Sequence, residues 1–514
     1  MLRALPLLLL TLLCTCDRAP RGERPDPRPN VLFLFTDDHA RFGVGALGDG
    51  LVRTPHLDSL IAAGTLFTHA YNMGAWQPAV CLASRAMLNT GRSVWRAAEL
   101  DRRTWAGDTT AMADNWAPLL RRAGYGTYFS GKWHVAAPAS AQFEVTRHVR
   151  PGMPNDNYPF PAMRALFARH APGRPPLDSV RALFPPGYDR PRSEDDASWS
   201  PTDVRYGGFW AGGRHWTEVV ADDGVDFLTA AAADDRPFFM YLAFNAPHDP
   251  RQAPRRYQEM YPPAELPVPA SFRARYLYEE AIGLGPGMRD EDLAPYPRTE
   301  LAVRTHTSEY YAAISHLDDQ VGRILDALHA TGQAENTVVI FTADHGLAVG
   351  RHGLFGKQNL YDHSVRVPLS LTGPGFAAGR TVGADVYLQD VMPTTLELAG
   401  APVPDSVEFR SLLPVAAGSA PGLSAVYLAY TDRQRGVRRG NFKYLWYPDV
   451  PTERLYDLAA DPEETNDLAA DPAYAERLRE LRKTFNELER TYGGGLPFEE
   501  LTTPRARADQ QMGY

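Results

Sequence analysis

The run Asn30-Val31-Leu32-Phe33-Leu34-Phe35 is apolar without a break and ends abruptly in Thr36-Asp37-Asp38-His39. A strand with one wet face alternates apolar with polar residues, whereas a strand covered on both faces reads as a continuous run. Such a strand belongs in the middle of a sheet with helices on both sides, and this constrains the fold more than any other feature. Similar runs recur at Tyr128-Phe129-Ser130 before Gly131-Lys132, at Phe238 to Phe244 before Asn245, and at Val338 to Phe341 before Thr342-Ala343-Asp344-His345. Helical patterns lie between them. The clearest runs from Glu309 to Leu328, where Ile314, Leu317, Val321, Ile324, Leu325 and Leu328 fall three and four apart. Buried strands alternating with helices predict an α/β sandwich around a large, mostly parallel sheet. Ligands of such sheets bind beyond the carboxyl ends of the strands, which is where the polar clusters fall.

With 514 residues, 44% of them hydrophobic, the chain is long enough for one large core and an appended smaller domain. Two Pro-rich stretches, Pro151 to Gly213 and Pro262 to Pro297, interrupt the rhythm and are read as long loops walling a pocket. From about Gly400 a smaller α+β domain is predicted, with strands at Ala425 to Tyr430 and Phe442 to Tyr447 and an amphipathic helix near Ala473 to Thr491. The formal net charge of −9 argues against a nucleic-acid partner, which selects for a basic face.

At the start, Arg3 precedes an apolar run from Ala4 to Leu13 that is too short to span a bilayer, as in an export signal. Leu13-Cys14-Thr15-Cys16 looks like a lipoprotein cleavage box, which makes Cys16 a candidate lipid anchor beside plain secretion. The expected partition is a signal at residues 1–16, a linker at 17–28, a main domain at 29–399 and a C-terminal subdomain at 400–514, in a periplasmic, membrane-anchored or secreted protein. Cys81 is then the one cysteine of the mature chain, so no internal disulfide forms, and its thiol is either inert in the core or chemically employed.

Its neighbours bear on that choice. Cys81-Leu82-Ala83-Ser84-Arg85 with Thr90-Gly91-Arg92 resembles the first signature of the sulfatase family, the formylglycine-dependent type I enzymes of the alkaline phosphatase superfamily. The resemblance extends to choline-sulfatase-like and iduronate-type members. It implies an alkaline-phosphatase-like fold, oxidation of Cys81 to formylglycine by a maturation enzyme, and a hydrated aldehyde that supplies the nucleophilic hydroxyl. A serine sulfate would be a stable ester, whereas a sulfated geminal diol expels sulfate as the aldehyde re-forms. Arg85, four residues on, would offset the nucleophile's negative charge. Ala83 stands where many members carry proline, which leaves the maturation route open.

Asp37-Asp38 and Asp344-His345 each follow a buried strand, so the sheet would gather three carboxylates and an imidazole at one edge. Crowded carboxylates raise one another's pKa unless a cation compensates them. Oxygen ligands favour calcium or magnesium over zinc, and the resemblance favours calcium, with position 81 completing the ligand set. Asparagine is commoner in relatives at the position of His345.

Gly124 to His134 resembles the second sulfatase signature, closed by Gly131-Lys132-Trp133-His134. On an extended segment Lys132 and His134 share a face and converge on one anion. By resemblance, Lys132 contacts sulfate and nucleophile, His134 orients the diol, His248 contacts sulfate and protonates the leaving alcohol, and Lys357 clamps sulfate oxygens. Histidine suits the acid role because its ordinary pKa lies near working pH. The expected substrate is a sulfated carbohydrate, since Trp210, Trp216, Arg251 and Tyr257 offer aromatic faces and polar groups suited to sugars. Two other readings stay open: a phosphonate monoester or phosphodiester hydrolase of the same superfamily, and a noncatalytic protein that binds sulfated glycans.

Overall fold

In a computed structural model of the protein, which describes residues 26–152, 158–284, 287–450 and 452–493, the first apolar run forms the strand Asn30–Thr36. Residues Val31 to Phe35 have no solvent exposure at all. The strand pairs in parallel with Phe238–Ala243 on one side and Thr337–Ala343 on the other, so both its edges and both its faces are covered. Beyond Phe238–Ala243 come Gly126–Lys132 and then Val145–Arg150, both parallel. Beyond Thr337–Ala343 the antiparallel Leu369–Thr372 leads to Thr65–Tyr71, which pairs in parallel with Arg380–Tyr387. With the short Arg366–Val367, the described residues form a nine-stranded, mostly parallel sheet, as the unbroken runs require.

The two faces carry separate cores. On one, Phe33, Phe35, Trp116, Phe129 and Tyr241 interlock, with the rings of Phe33 and Tyr241 4.8 Å apart and nearly perpendicular. On the other, Leu32, Leu34, Met240 and Leu242 pack against Val321 and Ile324 of the long helix. Alternation along one strand, odd residues to one layer and even to the other, is what a doubly covered strand produces.

The long helix spans Glu300–Ala330 and so begins nine residues before the apolar stripe becomes readable. Thr299 caps it, its hydroxyl accepting from Ala302 N at 3.1 Å. Its first turns bury Ala302 and Val303, against Phe355 and Ala294, with the polar His306 and Thr307, and so few apolar side chains leave a faint periodicity. A five-stranded sheet follows from the C-terminal region, in the order Thr452–Asp457, Phe442–Tyr447, Gln434–Arg439, Val426–Tyr430 and Gly74–Ala75. Helix Ala475–Tyr492 covers it through Leu478, Leu481 and Phe485. The short Gly74–Ala75 comes from the first part of the chain and pairs in parallel with Val426–Tyr430.

The two Pro-rich stretches are ordered against one another. Tyr158, Met163, Leu166, Val180 and Tyr188 of the first pack on Leu293 of the second, and Asp189 N donates to Asp292 O at 2.8 Å. The signal at residues 1–16, with Cys14 and Cys16, lies outside the described residues, as does most of the linker. Among the described residues no helix is long and apolar enough to cross a membrane.

Candidate active site

Three central strands end at one point and their hydrogen-bond ladder runs past them. Phe244 N donates to Phe35 O, Asp344 N to Thr36 O and Asp37 N to Ala246 O, at 2.8, 3.1 and 3.3 Å. This fixes Asp37, Asp38 and Asp344 as neighbours, and all three carboxylates are fully buried. Asp38 adopts a left-handed backbone, φ 63°, that few non-glycine residues hold without support. Its amide donates to Asp344 Oδ1 at 3.1 Å, and its carbonyl accepts from the Tyr310 hydroxyl at 2.6 Å.

The helix Val80–Thr90 brings Cys81 to the same place. It is tied down by Ser84, whose hydroxyl donates to Asp344 O at 2.7 Å, and ends at Gly91 in the left-handed region, φ 64°. Cys81 lies in its first turn, where the helix dipole favours a negative group. The buried Sγ is 3.3 Å from His134 Nδ1. Burial alone would raise the thiol's pKa, yet Lys132 and Lys357 outweigh it and draw the pKa below its ordinary value.

The residues expected to hold the cation or to act on sulfate therefore reach one cluster, though not always by the predicted route. Lys132 and His134 were expected to share a strand face. The strand instead stops at Lys132, and His134 turns into the left-handed region, φ 50°. Lys132 Nζ donates to Asp37, whereas His134 faces Cys81. Arg85 was expected to offset charge on the nucleophile. Its Nε donates to Asp344 Oδ2 at 3.0 Å and its Nη1 to Lys132 O at 2.6 Å, with Nη2 3.9 Å from Asp37 Oδ1. Its hydrogen bonds thus hold the acids and the Lys132 backbone. Lys357 Nζ lies 2.9 Å from both Asp38 oxygens and from His248 Nε2, and His248 Nδ1 donates to Asp249 O at 2.7 Å.

Around Asp38 the electrostatics match a site short of positive charge. Burial, reinforced by Asp37 and Asp344 and opposed by Lys357, pushes the Asp38 carboxyl well above the usual carboxylate range. Burial works against Asp344 too, but His345, Arg85 and Lys132 hold it below that range. Burial, aided by Lys132 and Arg85, pushes His134 down to about 3. Two buried atoms aimed into the cluster, Asp37 Oδ1 and His345 Nε2, have no hydrogen-bond partner. The donor atoms of Asp37, Cys81, Asp344 and His345 all lie within 4.8 Å of one another, and Asp37, Asp38 and His248 form an overlapping set. An oxygen-rich group with orphaned ligand atoms fits a hard divalent cation.

Several residues close to the reactive groups had not been predicted. Asp290 stands 3.6 Å from Lys357 Nζ and accepts from Gln358 Nε2 at 2.7 Å. Arg289 bridges Asp249 and Asp290. Glu291 accepts from the amides of Phe355 and Gly356, just before Lys357, at 3.0 and 2.8 Å. The second Pro-rich stretch therefore buttresses the Lys357 loop. Tyr257, expected to meet a sugar, is instead packed beside the long helix, its hydroxyl donating to Asp319 at 2.6 Å. Arg251 is buried, with Nη1 3.1 Å from His306 Nδ1.

Comparison with known proteins bears on the family and the fold. The chain is 25% identical to an N-acetylglucosamine-6-O-sulfatase of Bacteroides thetaiotaomicron, over 97% of this chain and 92% of that one. It superposes with a TM-score of 0.63 on a solved structure in complex with its substrate D-glucosamine-2-N,6-O-disulfate, at 21% identity and covering 93% and 100% of the two chains. The corresponding values for the phosphonate monoester hydrolase of Agrobacterium radiobacter are 0.66, 24%, 90% and 96%. A model of the C-terminal part of N-sulphoglucosamine sulphohydrolase matches residues 350–491. The sulfatase family model matches residues 29–401, and the chain belongs to that family of sulfuric ester hydrolases, within the alkaline phosphatase superfamily.

Proposed function

We propose that this protein is an exported enzyme that hydrolyses sulfate esters of a carbohydrate, with residue 81 acting as formylglycine beside a divalent cation. The observation that carries this reading is the convergence of Cys81 Sγ with the donor atoms of Asp37, Asp344 and His345 within 4.8 Å, flanked by two buried lysines. Support for a sugar comes from the relative named for N-acetylglucosamine 6-sulfate, which aligns along nearly the whole chain.

Asp37, Asp38, Asp344 and His345 would hold the cation, calcium before magnesium. Bound there, it supplies Lewis acidity toward a sulfate oxygen. The chain's own groups do the rest. One hydroxyl of the hydrated residue 81 forms the new O–S bond, its proton passing to a neighbouring carboxylate of the cluster, as the S–O bond to the sugar breaks. Lys132 and Lys357 hold the charged oxygens. His248, with Nδ1 committed to Asp249 O, presents Nε2 and shares a proton with Lys357, so this couple protonates the departing alcohol. Loss of the remaining hydroxyl's proton toward His134 re-forms the C=O bond and expels sulfate. Arg85 keeps Asp344 and the Lys132 backbone in place.

A second reading is a phosphonate monoester or phosphodiester hydrolase, favoured by the fold likeness to the Agrobacterium enzyme. Two measurements decide. In protein from a host with a maturation system, the peptide containing residue 81 should be about 18 Da lighter than its cysteine form. Hydrolysis of 4-nitrophenyl sulfate and of defined sulfated sugars should exceed that of matched phosphodiesters and phosphonates. A retained thiol would point to a noncatalytic glycan binder, and dominant phosphodiesterase activity would establish the second reading.

A further inference from the structure

We propose that a cleft beside the catalytic centre binds a second anionic group of the substrate through Arg150, an inference that rests on the carbohydrate reading above. The cleft, about 500 Å³ in volume, lies between the edge strand Val145–Arg150 and the helix Trp216–Ala231. Most of its charges cancel. Arg147 pairs with Asp226 at 2.6 Å, Arg214 with Asp222 at 2.5 Å, and His148 Nδ1 lies 2.7 Å from Asp223 Oδ2. Among the described residues lining it, Arg150 is the one cation with no carboxylate within ion-pair distance, and its buried Nε has no hydrogen-bond partner. Its guanidinium rests 4.4 Å above the Trp216 ring. Stacking of this kind holds the planar fork in one orientation, with its two terminal nitrogens available for parallel hydrogen bonds to an oxyanion.

The cleft adjoins the reactive residues. Arg150 is the cross-strand partner of Lys132, and its carbonyl accepts from Trp133 N at 3.3 Å. Two residues on, a methyl group added to Gly152 would lie 2.5 Å from the His134 ring, so the backbone there touches the imidazole that faces Cys81. A sugar whose ester reaches residue 81 would therefore extend along this wall toward Arg150. The group recognised is a sulfate or a carboxylate, on the same sugar or its neighbour, since both present paired oxygens to a guanidinium.

The test uses the matured full-length protein, Arg150→Gln and Arg150→Lys. The probes are 4-nitrophenyl sulfate, N-acetyl-D-glucosamine 6-sulfate, D-glucosamine-2-N,6-O-disulfate, and a 6-sulfated N-acetylglucosamine linked to glucuronate. Arg150→Gln should leave kcat/KM on the two monoanionic probes within about twofold. It should raise KM roughly 10- to 100-fold on a dianionic probe, the loss of one charge-assisted contact, with partial recovery in Arg150→Lys. Loss on the disulfate identifies a sulfate site, and loss on the glucuronate probe a carboxylate site. An equal effect on all probes, or none on either dianionic probe, overturns the inference. If the matured wild-type protein turns over 4-nitrophenyl sulfate and no sugar, the carbohydrate reading itself fails and the inference falls with it.

Discussion

Replacing Arg85 by methionine should destabilise the protein in a way that a cation reverses. Its guanidinium is fully buried, donates to Asp344 at 3.0 Å and to Lys132 O at 2.6 Å, and stands 3.9 Å from Asp37. Methionine keeps much of the packing on the Phe35 ring, 4.7 Å away, and removes the charge. Lys132 still covers Asp37, so the loss falls mainly on Asp344. Breaking a buried ion pair from one side costs about 3–5 kcal/mol. With an unfolding entropy of about 2.1 cal/mol/K per residue over roughly 400 residues, that lowers Tm by about 4–6 °C. The assay is differential scanning fluorimetry of wild type and variant, with a calcium titration of each. Saturating calcium should raise Tm more in the variant, because its acids lack a counter-charge that the wild type possesses. A shift below 1 °C without calcium, or equal calcium responses, would refute the counter-ion role and leave Arg85 as packing.

Chelation should lower both activity and Tm. A cation present at 100 times its Kd contributes about 2.7 kcal/mol to stability, and calcium should restore activity at lower concentration than magnesium. Lys357→Met should reduce kcat on 4-nitrophenyl sulfate by about 10²- to 10³-fold, the scale of removing one charge-stabilising donor, and steady-state kinetics would show it. His352, stacked on Tyr361 and pushed by burial down to about 4, binds a proton more readily unfolded than folded between that value and 6.5. Its contribution, about 3 kcal/mol, is therefore present above pH 6.5 and lost as the pH falls toward 4. His352→Gln should flatten the acid limb of a Tm-against-pH curve, and an unchanged limb would count against burial as the cause.

The central sheet and its polar rim were legible because full burial writes unbroken apolar runs, and the acids Asp37, Asp38 and Asp344 stop those runs where the strands stop. The strand Gln434–Arg439 was not legible. Arg435 and Arg438 break its apolar pattern, yet they are buried against Glu489 and Asp385, partners far away along the chain. Asp249, Arg289 and Asp290 escaped for the same reason: their bonds join segments that local pattern cannot connect. The left-handed turn at His134 carries no glycine to announce it, so the strand was read straight through Lys132.

Gly74 sits where any side chain would lie 1.8 Å from Ala429 O, so the two-residue strand it opens is held tightly by the last third of the chain. The helix bearing Cys81 starts five residues after Ala75. During vectorial synthesis the segment leading into that helix thus waits for the partner strand Val426–Tyr430 long after residue 81 itself has been made. Throughout that interval the thiol has no finished seat, and a catalyst able to modify it would meet an incomplete site in place of a buried side chain.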